Sequence, residues 1–307
     1  MKALVIGESL VDIVEQDGSE PVEHPGGSPA NVAIGLARLG REVELLTWLG
    51  EDDRGSRVRA NLEASNVVIA SGSQNADHTS TAIATLAEDG SATYVFDLTI
   101  DYPDYELTSE IGVVHVGSIG AMLAPGAEKA IALLAKAREQ AVITYDPNLR
   151  PSIMGEREAV REQVLALVAQ ADVVKVSDED LAWFSPEEDP LDVALEWLSL
   201  GPALVVVTLG GDGSVAVSAG GSEARVAAPT VTVADTVGAG DSFMGGLIDG
   251  LWSAGLLGAG MHDSIGELTA PALTTLLAQA ARIAAITVSR PGANPPTRLE
   301  LLTVLED

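Results

Sequence analysis

The chain has 307 residues, of which 45 are acidic and 17 are lysine or arginine, so its formal net charge is −28. This charge disfavours nucleic acid as a partner, because phosphate binding needs clustered cationic side chains. With no cysteine, the chain has no disulfide, no thiolate metal site and no cysteine nucleophile. No run approaches the roughly 20 uninterrupted apolar residues of a membrane span, and the N-terminus lacks a signal-peptide cleavage site, so we expect a soluble cytoplasmic protein that does not bind membranes.

Apolar runs alternate with helical patterns along most of the chain. The sequence predicts strands at 3–8, 42–50, 111–117, 141–146, 171–177 and 203–210. It predicts helices at 28–40, 126–139, 156–169, 190–199, 239–256 and 270–288. Strands separated by helices of ten or more residues are typical of a parallel sheet covered on both faces. We therefore expect one large α/β domain that spans residues 1–307.

Two segments, 10–27 and 67–98, interrupt this alternation with strand-like runs divided by turn signals such as "QDGS" and "EDGS". We expect them, with the second extended to about residue 107, to form one small antiparallel sheet that projects from the main domain. Such a sheet would serve as a lid over a binding site or as a contact between two copies of the chain. An ordinary peripheral hairpin is the alternative, and the sequence leaves these open.

The stretch "DTVGAGDS" (235–242) is a glycine-rich turn that opens an apolar helix. Gly238 and Gly240 let the backbone approach a ligand closely. Their N–H groups, together with that of Ala239, would form an anion site at the positive end of the helix dipole. Asp241 then has two interpretations: a stabilising acid in the first turn of the helix, or a general base beside the anion site.

Other glycine-loop chemistries do not fit this turn. A P-loop needs a Gly-Lys-Ser/Thr sequence, and no lysine of this chain follows a glycine. A dinucleotide-binding fingerprint needs a third glycine where Phe243 stands, and the Gly-x-Ser-x-Gly elbow of a serine hydrolase is absent. The four histidines are scattered and suggest neither a catalytic triad nor a metal cluster.

A second motif lies near the N-terminus, where "PGGSPANVAIGLARLG" (25–40) is followed by "LGEDDRG" (49–55). Together with "DTVGAGDSFMGGLIDG" (235–250), it resembles the two signatures of the pfkB-type, or ribokinase-like, carbohydrate kinase family. The resemblance covers nearly the whole chain with the motifs in the expected order. Three further segments look most like the fructokinase branch: "GESLVDIV" (7–14), "DPNLR" (146–150) and "SRPGANPPT" (289–297).

This resemblance implies a ribokinase-like three-layer α/β/α domain with a mostly parallel sheet and a small β-sheet lid. It implies transfer of the γ-phosphate of MgATP to a primary hydroxyl of a ketose, with D-fructose as the leading candidate. 2-Keto-3-deoxygluconate kinase and ribokinase are the alternatives within the family. A keto acid would favour a pair of arginines, of which only Arg150 is evident. A non-catalytic sensor of sugar or nucleotide is the alternative from a different class.

The resemblance also assigns roles to residues. Asp241 takes the proton of the attacking hydroxyl, while Gly238, Ala239 and Gly240 line the anion hole for the transferring phosphate. The residues implied to bind the sugar are Asp12, Gly26, Gly27, Asn31, Asn148 and Arg150. The residues implied to bind ATP are Thr208, Gly210, Gly213 and Asn294.

The expected cations follow from the same resemblance. The family's Asn-x-x-Glu motif, associated with Mg²⁺, is replaced here by "SDED" (177–180), in which Asp180 keeps a carboxylate able to act on Mg²⁺ through water. Asp235 and Val237 match positions that hold a monovalent cation in many relatives, so K⁺ is a candidate activator. Because many relatives dimerise through the lid, we also expect a homodimer.

Overall fold

The computed structural model describes residues 1–16, 19–86 and 92–303, and within them lie a nine-stranded sheet and a separate four-stranded sheet. The strands are β1 (Lys2–Ile6), β2 (Leu10–Gln16), β3 (Val22–Gly26), β4 (Val43–Leu46), β5 (Val68–Ile69), β6 (Thr81–Leu86), β7 (Ala92–Asp97), β8 (Ile111–Gly117), β9 (Val142–Asp146), β10 (Val173–Ser177), β11 (Leu204–Thr208), β12 (Ser214–Ser218) and β13 (Glu223–Val226). The α-helices are α1 (Ser28–Arg38), α2 (Asp53–Ala64), α3 (Gly126–Ala137), α4 (Pro151–Met154), α5 (Arg157–Val168), α6 (Asp178–Phe184), α7 (Pro190–Leu198), α8 (Ala239–Ser253), α9 (His262–Gly266), α10 (Ala270–Val288) and α11 (Arg298–Thr303).

The large sheet is mostly parallel. Its strands lie in the order β13–β12–β11–β10–β9–β8–β1–β4–β5, and only β12 and β13 at one edge pair in the antiparallel direction. The central strands are almost continuously apolar, as in "LVVVT" of β11, because helices cover both of their faces.

Two hydrophobic cores lie on opposite faces of this sheet. On one face, α1, α8 and α10 pack against the sheet, and the core there includes Leu36, Met244 and Leu277. On the other face, α3, α5, α6 and α7 form a second core around Leu134 and Trp197. The three-layer α/β/α architecture expected from the sequence is therefore confirmed.

The small sheet has the order β3–β2–β6–β7 and differs from the prediction in two respects. The predicted sheet was purely antiparallel, but β2 and β6 pair in parallel, because each arrives from the same end of the large sheet. The second predicted segment (67–107) is also divided, since β5 joins the large sheet beside β4 and residues 98–107 form no strand. The predicted turn at 88–91 and residues 17–18 of the other turn lie outside the described residues.

The predicted helices are confirmed to within a few residues at each end, but α2 and the short helices α4, α6, α9 and α11 were not predicted. Helix α2 is polar on most of its surface, with Gly55, Val58 and Leu62 as its buried residues, so it carries a weak apolar pattern. Helix α6 begins directly after Ser177, whose hydroxyl accepts a 3.0 Å hydrogen bond from the N–H of Asp180. Ser177 therefore caps a helix at the position where the family motif has an asparagine.

Helix α10 is apolar and long enough to meet the length and composition criteria for a membrane span, but half of its most apolar window is buried inside the protein. Its buried side chains belong to the same core as α1 and α8. A core helix of this kind passes the same criteria, so it is weak evidence for a membrane.

Candidate active site

A cleft of about 1030 Å³ lies at the carboxyl ends of the central parallel strands. Residues at or just after the ends of β1, β8, β9, β10 and β11 line it: Glu8, Ser118, Asn148, Ser177 and Thr208. The first turn of α8 closes one side of the cleft, and Leu10 and Asp12 of the small sheet contribute to another. Ligands bind at this edge of open parallel sheets, so the cleft is the candidate site.

Asp241 lies in the first turn of α8 and is only 8% exposed. Its Oδ1 accepts a hydrogen bond of 2.7 Å from the Ser28 hydroxyl, and its Oδ2 accepts one of 2.8 Å from the Asn31 amide. Burial raises the pKa of Asp241, while these two hydrogen bonds act in the opposite direction. The result is an oriented carboxylate with enhanced basicity.

The turn before Asp241 offers unpaired N–H groups at the start of a helix. Gly238 has the left-handed φ of 75°, and a Cβ there would lie 2.6 Å from the Cβ of Ala293. Among the described residues no protein acceptor takes the N–H of Gly238, Gly240 or Asp241. The prediction for Ala239 needs correction, because its N–H donates to the carbonyl of Thr236 over 3.2 Å and so is not free for an anion.

Lys175 supplies a buried positive charge beside this turn. The side chain comes from β10, is 3% exposed, and its Nζ lies 2.8 Å from Oδ2 of Asp146. A Cβ on Gly240 would lie only 2.9 Å from the same Nζ, so the ammonium group contacts the glycine turn. Burial favours the neutral amine, but Asp146, Asp180 and Asp241 outweigh this effect and raise the pKa of Lys175. The group therefore stays cationic.

Asp12 projects from β2 into the cleft, where it is half-buried. Burial raises the pKa of Asp12, and Asp241 raises it further, while His24 and Arg150 act in the opposite direction. Gly26 does not itself line the cleft; a Cβ there would collide with the Asp12 carboxylate, so the glycine leaves room for that group.

Four other predicted sugar residues line the cleft: Gly27, Asn31, Asn148 and Arg150. Gly27 precedes α1 with φ of 109°, and a Cβ there would collide with the carbonyl oxygen of Glu8. The guanidinium of Arg150 folds back on its own loop and donates to the carbonyl of Leu149 over 2.8 Å. Arg150 is exposed, so it lies at the mouth of the cleft.

Glu8 is a buried acid in the same cleft, 3% exposed. Burial raises the pKa of Glu8 to about 7, against hydrogen bonds from its own N–H, the N–H of Gly120 and the Ser118 side chain, and against the charge of Arg150. This carboxyl group therefore changes its protonation state near neutral pH.

Of the four residues predicted to bind ATP, three line the cleft and one does not. Thr208, Gly210 and Gly213 line the cleft where β11 ends and the next turn begins. Asn294 is not among the lining residues: its Oδ1 accepts a 2.6 Å hydrogen bond from Arg38 at the C-terminal end of α1. This partner has no local signature in the sequence, because Arg38 is 256 residues away in the chain.

The predicted metal residues lie in two places. Asp180 lines the cleft, and its Oδ1 accepts the N–H of Leu149 at 2.9 Å. Burial raises the pKa of Asp180, as does Asp146, while Lys175 lowers it. In the described part of the chain, no group of three or more His, Asp or Glu side chains is arranged to hold a metal ion. The residues present therefore fit a Mg²⁺ held mainly by nucleotide oxygens and water, with Asp180 as an outer partner.

At the other place, the carboxylate of Asp235 accepts the N–H groups of Val237 and Gly292, at 3.0 and 2.8 Å. These hydrogen bonds lower the pKa of Asp235 and join the second signature to the C-terminal loop. Val237 is exposed and lines the cleft.

Sequence analysis missed Lys175, Asp146, Glu8, Ser118 and Ser28. Two of them carried a usable signal: a lysine inside the buried run "ADVVKVS" (171–177) is rarely tolerated without a partner or a ligand, and Glu8 follows directly on a buried parallel strand. For Ser28 the sequence predicts only a place at the start of the helix at 28–40. Its contact with Asp241 spans 213 residues of sequence and has no local signature.

A family model described as "pfkB family carbohydrate kinase" matches residues 2–299. The chain belongs to this family. The two signature motifs of this pfkB kinase meet at one place, since Ser28 and Asn31 of the first hold Asp241 of the second.

Among relatives of this pfkB kinase, the fructokinase of Rhizobium leguminosarum bv. trifolii is 34% identical over 271 residues, which cover 83% of this chain and 81% of the relative. The structure of a fructokinase with bound ATP from Xylella fastidiosa aligns with a TM-score of 0.82, 25% identity and coverage of 100% and 99%. The structure of aminoimidazole riboside kinase from Salmonella enterica, complexed with aminoimidazole riboside and an ATP analog, aligns with a TM-score of 0.79, 27% identity and coverage of 99% and 100%.

Proposed function

We propose that this protein is an ATP-dependent fructokinase, which transfers the γ-phosphoryl group of MgATP to a primary hydroxyl of D-fructose. The observation that carries the proposal is the fixed carboxylate of Asp241 beside unpaired N–H groups at the start of α8. The fructokinase relatives and the ATP in the Xylella fastidiosa structure support the choice of substrates.

Asp241 is the general base of the proposed reaction. The sugar hydroxyl must lose its proton as its oxygen attacks phosphorus, and a carboxylate with a raised pKa accepts that proton more readily than an exposed one. Ser28 and Asn31 fix both carboxylate oxygens, which limits the orientations available to the acceptor.

The transferring phosphoryl group is stabilised by the glycine turn and Lys175. The N–H groups of Gly238, Gly240 and Asp241 would point at its oxygens, and the Lys175 ammonium lies against the same turn. Phosphoryl transfer depends largely on such positioned positive charge. A local cation also explains how a chain of net charge −28 binds an anionic substrate.

Different residues of the cleft would bind the sugar and the nucleotide. Asp12, on the small sheet, would accept hydrogen bonds from sugar hydroxyls, and Arg150 would contact sugar or phosphate from the mouth of the cleft. Thr208, Gly210 and Gly213 would hold the nucleotide. Asn31 would act chiefly through Asp241, and Gly26 through the space that it leaves for Asp12.

Mg²⁺ bound to ATP would neutralise charge on the β- and γ-phosphates. Asp180 would orient a water of that ion with the carboxylate oxygen that Leu149 does not engage.

A monovalent cation beside Asp235 and Val237 remains part of the proposal, as do a cytoplasmic location and a homodimer formed through the small sheet.

The second candidate acceptor is aminoimidazole riboside, which the Salmonella enterica relative binds. We rank fructose higher because aromatic residues make up only 4% of the chain, which leaves little material to clamp a base. Ribose and 2-keto-3-deoxygluconate are the remaining members of the test panel.

The test is a coupled ADP-release assay with MgATP and each acceptor in turn. We expect D-fructose to give the highest kcat/KM, and ADP release no faster than without sugar would refute the fructokinase proposal. Asp241→Asn should lower kcat by about 10²-fold to 10⁴-fold while ATP still binds. The matched control is Asp263→Asn, which removes an exposed acid from the first turn of α9, outside the cleft, and should leave turnover unchanged.

A further inference from the structure

Three polar side chains follow neighbouring strands at the floor of the cleft. Glu8 comes after β1, Ser118 after β8 and Asn148 after β9, and these strands are adjacent in the large sheet. All three residues line the cleft. The reaction described above gives no role to Glu8 or Ser118.

The three residues form one polar cluster at the end of the sheet. The N–H of Gly120 donates to Oε2 of Glu8 over 2.8 Å, and the Ser118 side chain lies close enough to this carboxyl group to lower its pKa. The Nδ2 of Asn148 lies 3.3 Å from the Oγ of Ser118 and donates to it. If the Ser118 hydroxyl donates its proton to Glu8 while it accepts one from Asn148, its oxygen keeps one lone pair that can accept a hydrogen bond from a ligand.

The backbone at two of these positions is strained. Ser118 has φ of 55° and Asn148 has φ of 40°, in the left-handed region that residues other than glycine seldom adopt. Only one other non-glycine residue among the described ones, Asn66, has a positive φ. Such strain clusters where side chains must be aimed at a ligand.

Among the described residues, no hydrogen bond joins Glu8, Ser118 or Asn148 to the residues that hold Asp241. Ser28 and Asn31, the partners of Asp241, come from α1 on one face of the sheet, whereas Ser118 and Asn148 come from the strand ends themselves. The charge of Arg150 acts on both Glu8 and Asp12, so the cluster lies towards the sugar-binding carboxylate of the small sheet.

We propose that Glu8, Ser118 and Asn148 determine which sugar is accepted, with Ser118 Oγ and the Asn148 amide binding hydroxyl groups remote from the reacting one and Glu8 positioning Ser118. The proposal rests on the sugar kinase function given above. Ser118 accepts a hydrogen bond from a sugar O–H, and Asn148 offers a second N–H and a carbonyl oxygen. A sugar that lacks a hydroxyl at the contacted carbon leaves these buried groups without partners and is rejected.

Ionisation of Glu8 should make sugar binding depend on pH. The charged or titratable groups that act on Glu8 are Arg150, after β9, which favours the carboxylate, and Tyr102, whose own pKa lies well above its usual value because of burial. With the pKa of Glu8 near 7, the carboxylate that holds the Ser118 hydroxyl forms as the pH rises through neutrality. The KM for the sugar should therefore fall as the pH rises from 6 to 8, and this trend should vanish in Glu8→Gln.

The decisive experiment compares Ser118→Ala with the parent enzyme on the accepted sugar and on its singly deoxygenated analogues. On the complete sugar, Ser118→Ala should raise KM about threefold to tenfold with kcat nearly constant, as expected for one hydrogen bond. On the analogue that lacks the contacted hydroxyl, the same substitution should change KM by less than about twofold. The hydrogen bond between Ser118 and that hydroxyl is already absent in this analogue, so removing the serine hydroxyl as well has little further effect.

The matched control is Ser9→Ala, which removes a buried hydroxyl from the residue after Glu8. The Ser9 hydroxyl is hydrogen-bonded to Thr47, and Ser9 does not line the cleft. This substitution should leave the KM of every sugar unchanged. Equal effects of Ser118→Ala on all analogues, or a loss of kcat without a change in sugar discrimination, would overturn the proposal. If Ser118→Ala fails to fold, Glu8→Gln tests it through the pH dependence of KM.

The proposed function and this inference can fail separately. If no sugar gives ADP release, the kinase proposal fails, and binding of each sugar to the parent protein and to Ser118→Ala is then measured by calorimetry. If fructose is phosphorylated but sugar discrimination is the same in all variants, only the present inference fails.

Discussion

Asn31 and Asp241 are 210 residues apart in the chain, yet the side-chain amide of Asn31 donates a 2.8 Å hydrogen bond to Oδ2 of Asp241. This bond connects the first turns of α1 and α8, two helices that pack side by side on one face of the sheet. The two family signatures are therefore parts of one structural unit, in which the first motif holds the proposed base of the second.

The Asn31 bond favours the charged form of Asp241, so its removal should raise the pKa of Asp241 further. Asn31→Ala should consequently shift the acidic limb of the kcat–pH profile towards higher pH, since the base must be ionised to accept a proton. A profile of kcat between pH 5 and 9 measures this shift. Asn61→Ala, which removes an amide from α2 outside the cleft, is the control, and an unshifted limb in Asn31→Ala would show that Asp241 does not limit turnover at low pH.

Lys175→Met should lower both stability and activity, for separate reasons. Without the ammonium, Asp146 is a buried charge that lacks a partner, which costs about 3 kcal/mol in the free energy of unfolding. The transferring phosphoryl group also loses a nearby cation, so kcat should fall by about 10²-fold or more. Urea unfolding and the ADP-release assay measure the two effects.

The double variant Asp146→Asn/Lys175→Met separates these two roles of Lys175. Because it removes both charges, it should recover much of the lost stability but none of the lost activity. A single variant Lys175→Met that is unstable yet fully active would instead show that the lysine is only a structural partner of Asp146.

Gly240→Ala should impair phosphoryl transfer without unfolding the protein. Its new Cβ would lie 2.9 Å from Nζ of Lys175, so the ammonium must move away from the turn. We expect a fall in kcat of about tenfold to 10²-fold with the thermal unfolding midpoint little changed. Gly245→Ala is the matched control in the same helix, because its nearest neighbour would be the Val32 carbonyl at an ordinary 3.7 Å. Equal kcat values for the two variants would argue against the proposed position of the phosphoryl group.

Asn294→Ala should leave the KM for ATP unchanged within about twofold, because Asn294 contacts Arg38 rather than the cleft. The loss of this hydrogen bond to a charged group should lower stability by about 1–2 kcal/mol. For comparison, Thr208→Ala in the proposed nucleotide loop should raise the KM for ATP by about threefold. A clear increase in the KM for ATP with Asn294→Ala would restore the role that the sequence suggested.

The architecture of the large sheet could be predicted because its signals are local. The central strands are almost continuously apolar, as in "LVVVT" of β11, and each predicted helix that covers them has an apolar face or a terminal glycine. The small sheet was less well predicted, since pairing between β2 and β6 joins segments about 70 residues apart and nothing in either segment fixes its direction.

The site was predictable only where the family motifs specify it. Asp241 and the glycines beside it could be named from sequence, but Lys175, Asp146 and Ser28 depend on contacts between distant segments. For Asn294 the motif suggested a site residue that the structure places outside the cleft. Its side chain is hydrogen-bonded to Arg38, a contact between distant segments that the motif does not reveal.

Two short links connect the small sheet to the main domain near the cleft: residues 7–9 lead from β1 to β2, and Gly27 leads from β3 to α1. They touch each other, since a Cβ on Gly27 would collide with the carbonyl of Glu8. Ser28, which follows the second link immediately, is hydrogen-bonded to the proposed base. A tilt of the small sheet would therefore be transmitted through one peptide unit to Ser28, so the position of that sheet and the orientation of the Asp241 carboxylate are mechanically linked.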